Sequence, residues 1–236
     1  MGMADAPAID RSAILARSEI LRHLRPEQID LLASRCTIRR CAAGDTVFER
    51  GAPGQSLLGV ITGRIKVSVL SADGRELILN IIKPGELFGE IALLDGGERT
   101  ASATALAPSE LLALNRRDFL PLLERDTGLS LRLIELLCRR LRATSQQVEE
   151  MQFLDLSVRL ARALLYLAET DGISTARGRQ LNLRLSQSDI GMLIGASRER
   201  ISRQLAAWQR EGLISHKSGC LTIHRIDELA LAGDGD

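Results

Sequence analysis

A glutamate and an arginine nine positions apart, Glu90 and Arg99, sit in a glycine-punctuated stretch from Pro84 to Ala105 that reads P-G-E-L-F-G-E-I-A-L-L-D-G-G-E-R-T-A-S-A-T-A. Arginine is a planar, permanently charged fork suited to two phosphate oxygens. A short helix-like segment from Gly89 to Leu94 would turn free N–H groups and the positive end of its dipole toward the same anion. A carboxylate is out of place beside an anion unless it accepts a hydrogen bond, and a sugar hydroxyl is such a donor. The pair therefore asks for a ribose next to a phosphate, which makes the ligand a nucleotide. The plainer alternative is that Arg99 caps a loop from solvent.

A second group of residues lies in L-S-Q-S-D-I-G-M-L-I-G-A-S-R-E-R-I-S-R-Q-L-A-A-W, beginning at Leu185. Ser186 caps one helix, with Asp189 in capping-box position, Gly195 supplies a tight turn, and Ser197 caps a second helix. This is helix-turn-helix grammar. On the second helix Glu199 and Arg203 stand one turn apart with Arg198 beside them, while Ile201, Leu205 and Trp208 face the other way. Arginine can bond guanine O6 and N7, and glutamate can accept from cytosine N4. Ser186, Gln187, Ser188 and Ser197 can position phosphates without reading bases, and Arg200 and Arg210 add nonspecific attraction. Charged residues on a solvated helix are ordinary; the cap, the turn and the basic surroundings together favour double-stranded DNA.

The charge distribution agrees. The chain of 236 residues carries a formal net charge of +1, yet Leu156 to Arg225 holds ten arginines and one lysine against five acids, leaving the remainder acidic. A positive segment beside a negative one points to a local polyanion site. Aromatics make up only 3% of the chain, which argues against base stacking on exposed rings as the main grip on nucleic acid. Cys36, Cys41, Cys138 and Cys220 are scattered, with no Cys-x-x-Cys pair and no histidine at metal spacing, so they read as reduced thiols and no metal is expected. No apolar run spans a membrane and Met1 to Leu21 lacks a secretory core, so the expected location is cytoplasmic. No nucleophile-base pair or Walker-type loop is present, and no enzyme activity is expected.

The elements that must position these residues follow from periodicity. Residues 1–17 read as a flexible tail. Residues 18–127 form a sensor domain: helical pattern to Cys36, then short apolar runs at Thr46, Leu57, Ile65, Leu77 and Ser109 separated by glycine turns, as in a β-barrel or jelly roll. A helical pattern opens at Asn115, and Asp126 or Thr127 can cap a long helix over residues 128–154. Along it Ile134, Leu137, Leu141, Thr144, Val148 and Met151 recur at alternating spacings of three and four, a seam for a second helix or for the domain's own barrel. Thr144 is the polar exception on that stripe. Residues 155–229 hold a further helix from Asp155, a polar loop from Thr170 to Gly178, a strand at Leu181 to Leu185, the helix-turn-helix, and two strands around Lys217 to Gly219 that read as a wing. Residues 230–236 read as a disordered tail.

The stretch F-G-E-I-A-L…R-T-A resembles the signature of the cAMP receptor protein (catabolite activator)/FNR superfamily, in its cyclic-nucleotide-binding branch, and that of cyclic-nucleotide-dependent kinases. The resemblance covers about residues 20 to 225 in the same domain order. It implies an α+β fold: an N-terminal β-roll (jelly-roll) cyclic nucleotide-binding domain, a long dimerisation helix and a C-terminal winged helix-turn-helix. It assigns the ribose 2′-hydroxyl to Glu90 and the cyclic phosphate to Arg99. Their spacing is similar to the kinase version and one residue shorter than in bacterial activators. The run R-R-L-R-A-T-S is similar to the dimerisation helix, where Thr144 would meet the base in its own subunit and Ser145 the base of the partner. Ser197, Arg198, Glu199 and Arg203 match the recognition helix, and a palindromic site with TGTGA-like halves is implied. The resemblance thus suggests a homodimeric transcription regulator responding to cAMP, with RNA polymerase as a further partner. Thr100 also occurs in cGMP-selective modules, so cGMP is the alternative effector; a redox or haem sensor on the same scaffold is the other.

Overall fold

Between Thr37 and Asn115 the short apolar runs become strands: β1 (Thr37–Cys41), β2 (Thr46–Phe48), β3 (Ser56–Thr62), β4 (Ile65–Leu70), β5 (Glu76–Ile82), β6 (Leu87–Phe88), β7 (Ser102–Ala105) and β8 (Ser109–Asn115). The computed structural model describes residues 10–234, in two units: one ends at Val69 and resumes over Asn80–Arg140, the other takes Leu70–Leu79 and the chain from Leu141. The strands make two four-stranded sheets, ordered β1-β8-β3-β6 and β2-β7-β4-β5. Side chains alternate across each strand. In β3, Leu58 and Val60 turn inward with Ile65, Phe88, Ala103 and Leu111, whereas Leu57 turns outward.

Helices cover that outward face. They are α1 (Arg11–Arg17), a 3-10 turn at Leu21–His23, α2 (Pro26–Arg35), α3 (Glu90–Asp95), α4 (Arg116–Arg125) and the start of α5 (Thr127–Phe153). Leu15, Leu21, Leu32, Phe119, Leu129 and Leu133 join Leu57, Leu112 and Leu114 in one buried cluster. The expected tail over residues 1–17 is corrected here: helix begins at Arg11, because Asp10 accepts a hydrogen bond from the Ala13 N–H at 3.0 Å and Leu15 finds a core to fill. Residues 1–9 lie outside the described residues. β1 hides in the sequence because Arg39 and Arg40 break its apolar pattern. Arg39 bonds the Val47 and Thr46 carbonyls, and Arg40 pairs with Glu110 at 2.9 Å on the adjacent strand.

The second unit contains α6 (Leu156–Asp171), β9 (Gly172–Thr175), β10 (Gly178–Leu181), α7 (Gln187–Ile194), α8 (Arg198–Arg210), β11 (Ile214–Lys217), β12 (Cys220–Ile223) and α9 (Ile226–Asp234). Its sheet is ordered β11-β12-β10-β9. Two expectations change. The polar loop from Thr170 to Gly178 is a hairpin, stitched by Thr175 Oγ1 to the Gly178 carbonyl at 2.8 Å, and the strand read at Leu181 to Leu185 stops at Leu181. The tail expected at 230–236 is helix through Asp234, anchored by fully buried Leu229 and by Arg162 Nε donating to the Gly233 carbonyl at 2.8 Å; residues 235–236 lie outside the described residues.

Helix α5 begins where the Asp126 side chain accepts from the Leu129 N–H at 3.0 Å, satisfying a donor that has no intrahelical partner. Asp126→Ala should cost about 1 kcal/mol in urea unfolding at neutral pH. The hydrogen bond from Leu129 holds the Asp126 carboxyl below its usual pKa. Its contribution is therefore complete above the ordinary aspartate range and lost as pH falls through the lowered value, so variant and wild type should converge in acid.

Candidate functional site

The Arg99 backbone is clamped on the segment after β2: its N–H donates to the Ala52 carbonyl at 2.8 Å and its carbonyl accepts from Gly51 at 2.9 Å. The side chain goes inward and is only 5% exposed. Nη1 donates to the Gly89 carbonyl at 2.7 Å, and Nη2 to the Ser56 carbonyl at 2.8 Å and Ser56 Oγ at 3.1 Å. Cζ lies 4.2 Å from the centroid of the Phe48 ring, which itself stacks on Phe88. Nε is buried with no hydrogen-bond partner. Burial pushes the Arg99 pKa down, opposed by the charge of Glu90, but a guanidinium stays protonated. The cation is thus held by neutral oxygens and a ring face, with unspent capacity for an anion. Gly89 is left-handed (φ 78°), and a Cβ there would overlap Arg99 Nη1, so the carbonyl can reach the guanidinium only from glycine.

Glu90, the first residue of α3, is 2% exposed. Its Oε2 meets Arg140 Nη1 on α5 at 2.6 Å, and Arg140 Nη2 also donates to the Leu87 carbonyl. Sequence reasoning missed Arg140, whose partner lies fifty residues away; the only signal was a basic residue at the edge of the α5 seam. α3 has just six residues, so an anion here would be held by Arg99 more than by helix-end N–H groups. Thr100 is exposed beside Arg99.

On α5, Thr144 and Ser145 are exposed, as are Ile134, Leu141 and Val148 of the expected seam. These lie on an apolar stripe that the described chain leaves open. Met151 departs from it: its side chain packs against Gly195.

The helix-turn-helix is built as its grammar requires. Ser186 Oγ accepts from the Asp189 N–H at 3.0 Å while Asp189 Oδ2 accepts from the Ser186 N–H at 2.9 Å. Gly195 ends α7 at φ 68°, and Ser197 Oγ accepts from the Arg200 N–H at 3.4 Å. Gly191, unremarked in the sequence, has to be small because a Cβ there would press on the Ala196 carbonyl across the turn. Ile201, Leu205 and Trp208 are buried, and Gln187, Arg198, Glu199, Ser202 and Arg203 line one open concavity. Ser188 is half-buried on the first turn of α7. Hydrogen bonds from its own backbone N–H and the Ser197 hydroxyl, then the charges of Arg198 and Arg203, hold the Glu199 carboxyl below its usual pKa. It remains an acceptor at neutral pH.

Among the described residues no group of three or more His, Cys, Asp or Glu could hold a metal ion, and no helix is long and apolar enough to cross a membrane. Cys36 and Cys41 are buried, and desolvation pushes the Cys36 thiol up to about 12, leaving it protonated.

Comparison with known proteins supports both halves. Residues 38–126 match the model of the cyclic nucleotide-binding domain, and residues 158–232 that of the Crp-like helix-turn-helix domain. The Cyclic AMP receptor protein of Thermus thermophilus is 35% identical over 216 residues, covering 90% of this chain and 97% of its own. The CRP-like cAMP-activated global transcriptional regulator of Mycobacterium tuberculosis is 32% identical over 217 residues, covering 92% and 97%. Among solved structures, the c-di-GMP-responsive global regulator CLP of Xanthomonas campestris is similar at a TM-score of 0.74 and 27% identity, covering 85% of this chain and 99% of that one.

The Glu90–Arg140 pair is asymmetric, with side-chain exposures of 3% for Glu90 and 24% for Arg140. Removing the arginine strands a buried charge, whereas removing the carboxylate lets Arg140 turn to water. Arg140→Met should therefore destabilise the first unit by about 3 kcal/mol in chemical denaturation, and Glu90→Gln by about half as much. Equal costs would mean that Glu90 is not held by this pairing.

Proposed function

Because the chain belongs to the CRP/FNR superfamily of bacterial transcription regulators, with a cyclic nucleotide-binding domain followed by a Crp-like helix-turn-helix, we propose that it is a homodimer whose binding of cAMP controls its affinity for a palindromic, TGTGA-like DNA site. One observation carries the effector half: the buried Arg99 guanidinium, bonded only to neutral oxygens and flanked by an acceptor carboxylate. In this reading Arg99 takes two oxygens of the cyclic phosphate, Glu90 accepts from the ribose 2′-hydroxyl, Gly89 gives the backbone room, and Thr100 bonds the phosphate. Thr144 meets the base in its own subunit and Ser145 the base held by the partner, which requires a second copy on the open stripe of α5. Exposed Leu141 and Val148 support that packing.

At the other end, Arg198, Glu199 and Arg203 read base edges, while Ser186, Gln187, Ser188 and Ser197 fix the phosphate backbone. RNA polymerase is the partner such a regulator addresses. The exposed Thr100 hydroxyl keeps cGMP as the alternative effector, and likeness to a c-di-GMP-responsive regulator adds that dinucleotide to the comparison.

Fluorescence anisotropy with a duplex bearing the palindrome, titrated without nucleotide and with saturating cAMP, cGMP or c-di-GMP, tests the reading. cAMP should tighten binding about tenfold or more and the others less; identical curves in all four conditions would reject it. Arg99→Lys, which loses the bidentate fork, should weaken cAMP binding about tenfold or more by calorimetry. Arg203→Ala should relax discrimination at one base pair by about 1–3 kcal/mol without altering cAMP affinity.

A further inference from the structure

The tip of the β4–β5 hairpin, Leu70–Leu79, groups with the second unit, and a side chain on α5 bonds it there. The Gln147 amide on α5 donates one hydrogen to the Ile78 carbonyl and the other to the Leu193 carbonyl, each at 3.0 Å. Leu193 lies in the last turn of α7, where carbonyls have no intrahelical acceptor role to fill. The next carbonyl, Ile194, accepts from Arg159 Nη1 on α6 at 3.0 Å, and the next residue, Gly195, packs against Met151. Three consecutive residues at the end of α7 are thus held from α5 and α6. That end is also the turn that launches α8, the helix carrying Arg198, Glu199 and Arg203.

Gln147 differs from the other two holds because its single amide joins three elements. Both hydrogens are spent, so a shift of α5 along or about its axis lengthens at least one bond, and such bonds weaken steeply with misalignment. α5 is also the helix that carries Arg140, the residue paired with Glu90, seven positions or about two turns earlier. β5 continues from Ile78 through Asn80–Ile82 into the strands of the first unit. Both segments leaving this junction therefore run by covalent connection toward the Glu90 and Arg99 segment, the cradle proposed above for the nucleotide.

We infer that Gln147 is the positioning residue that makes the placement of the DNA-reading helix depend on occupancy of the cradle. The inference rests on the cAMP reading of Glu90 and Arg99. A purely structural role would contribute to folding and leave the linkage between the two ligands unchanged.

The test uses the full-length chain and measures the coupling factor, the ratio of duplex dissociation constants without and with saturating cAMP. By linkage the same factor must appear as the tightening of cAMP binding by DNA. Gln147→Met keeps the length and removes both donors; its factor should fall about fivefold or more, in both directions of measurement, with cAMP affinity of the free protein within about twofold of wild type. Gln147→Lys, which keeps donors on a chain of similar reach, should retain most of the factor. A Gln147→Met factor within about twofold of wild type overturns the inference, as does a loss matched by an equal loss of cAMP affinity without DNA. Absence of any cAMP effect on the wild-type protein would reject the effector reading itself, and this inference with it.

Discussion

A guanidinium taken out of water without a carboxylate hydrogen-bonded to it is the constraint on which the first unit depends. Burial of an ion costs several kcal/mol even after relaxation, and that cost is normally met by an opposite charge. Arg99 instead bonds the carbonyls of Gly89 and Ser56 and lies on the face of Phe48. The surrounding fold is arranged to make those neutral contacts possible. The bridge between Pro53 and Glu98 pairs the two segments beside Arg99, the left-handed Gly89 brings a carbonyl close, and β3 supplies Ser56. The carboxylate nearest in sequence, Glu90, is occupied by Arg140 from α5. A cation with unspent hydrogen-bonding capacity and an adjacent acceptor are thereby held apart from one another.

The same economy governs the second unit, where the difficulty is not a buried charge but the open end of a short helix. α7 is eight residues long and cannot stand alone in water. Its start is closed by Ser186 and Asp189, and its end by Gln147 and Arg159, so its orientation is inherited from α5 and α6. α8 in turn inherits its direction from the turn at Gly195, while Ile201, Leu205 and Trp208 fix its rotation and leave Arg198, Glu199 and Arg203 outward.

What could be read in the sequence was local. The Glu90 and Arg99 motif, the caps at Ser186 and Ser197 and the glycine turn at Gly195 each declare themselves within a few residues, and the β-roll and long helix followed from apolar periodicity and the family resemblance. Arg140, Gln147 and Arg159 were not legible, because their partners at Glu90, Ile78, Leu193 and Ile194 are dozens of residues away. Short elements with polar faces were also missed. α1 and α9 look like tails until Leu15 and Leu229 are seen to be buried, and the β9–β10 hairpin is too hydrophilic to stand out. The seam on α5 was read as running on to Met151, yet Met151 turns to Gly195 while Leu141 and Val148 remain open.

The most direct probe of the role proposed for Arg99 needs no variant. Isothermal titration of the wild-type chain with cAMP, 2′-deoxy-cAMP and adenosine removes in turn the hydroxyl assigned to Glu90 and the phosphate assigned to Arg99. If the buried cation is the receptor, 2′-deoxy-cAMP should bind about tenfold more weakly than cAMP and adenosine about a hundredfold or more, since hydrogen bonds to charged groups contribute about 1.5–3 kcal/mol each. Adenosine binding as tightly as cAMP would show that Arg99 is a structural residue and that the ligand, whatever it is, is held elsewhere.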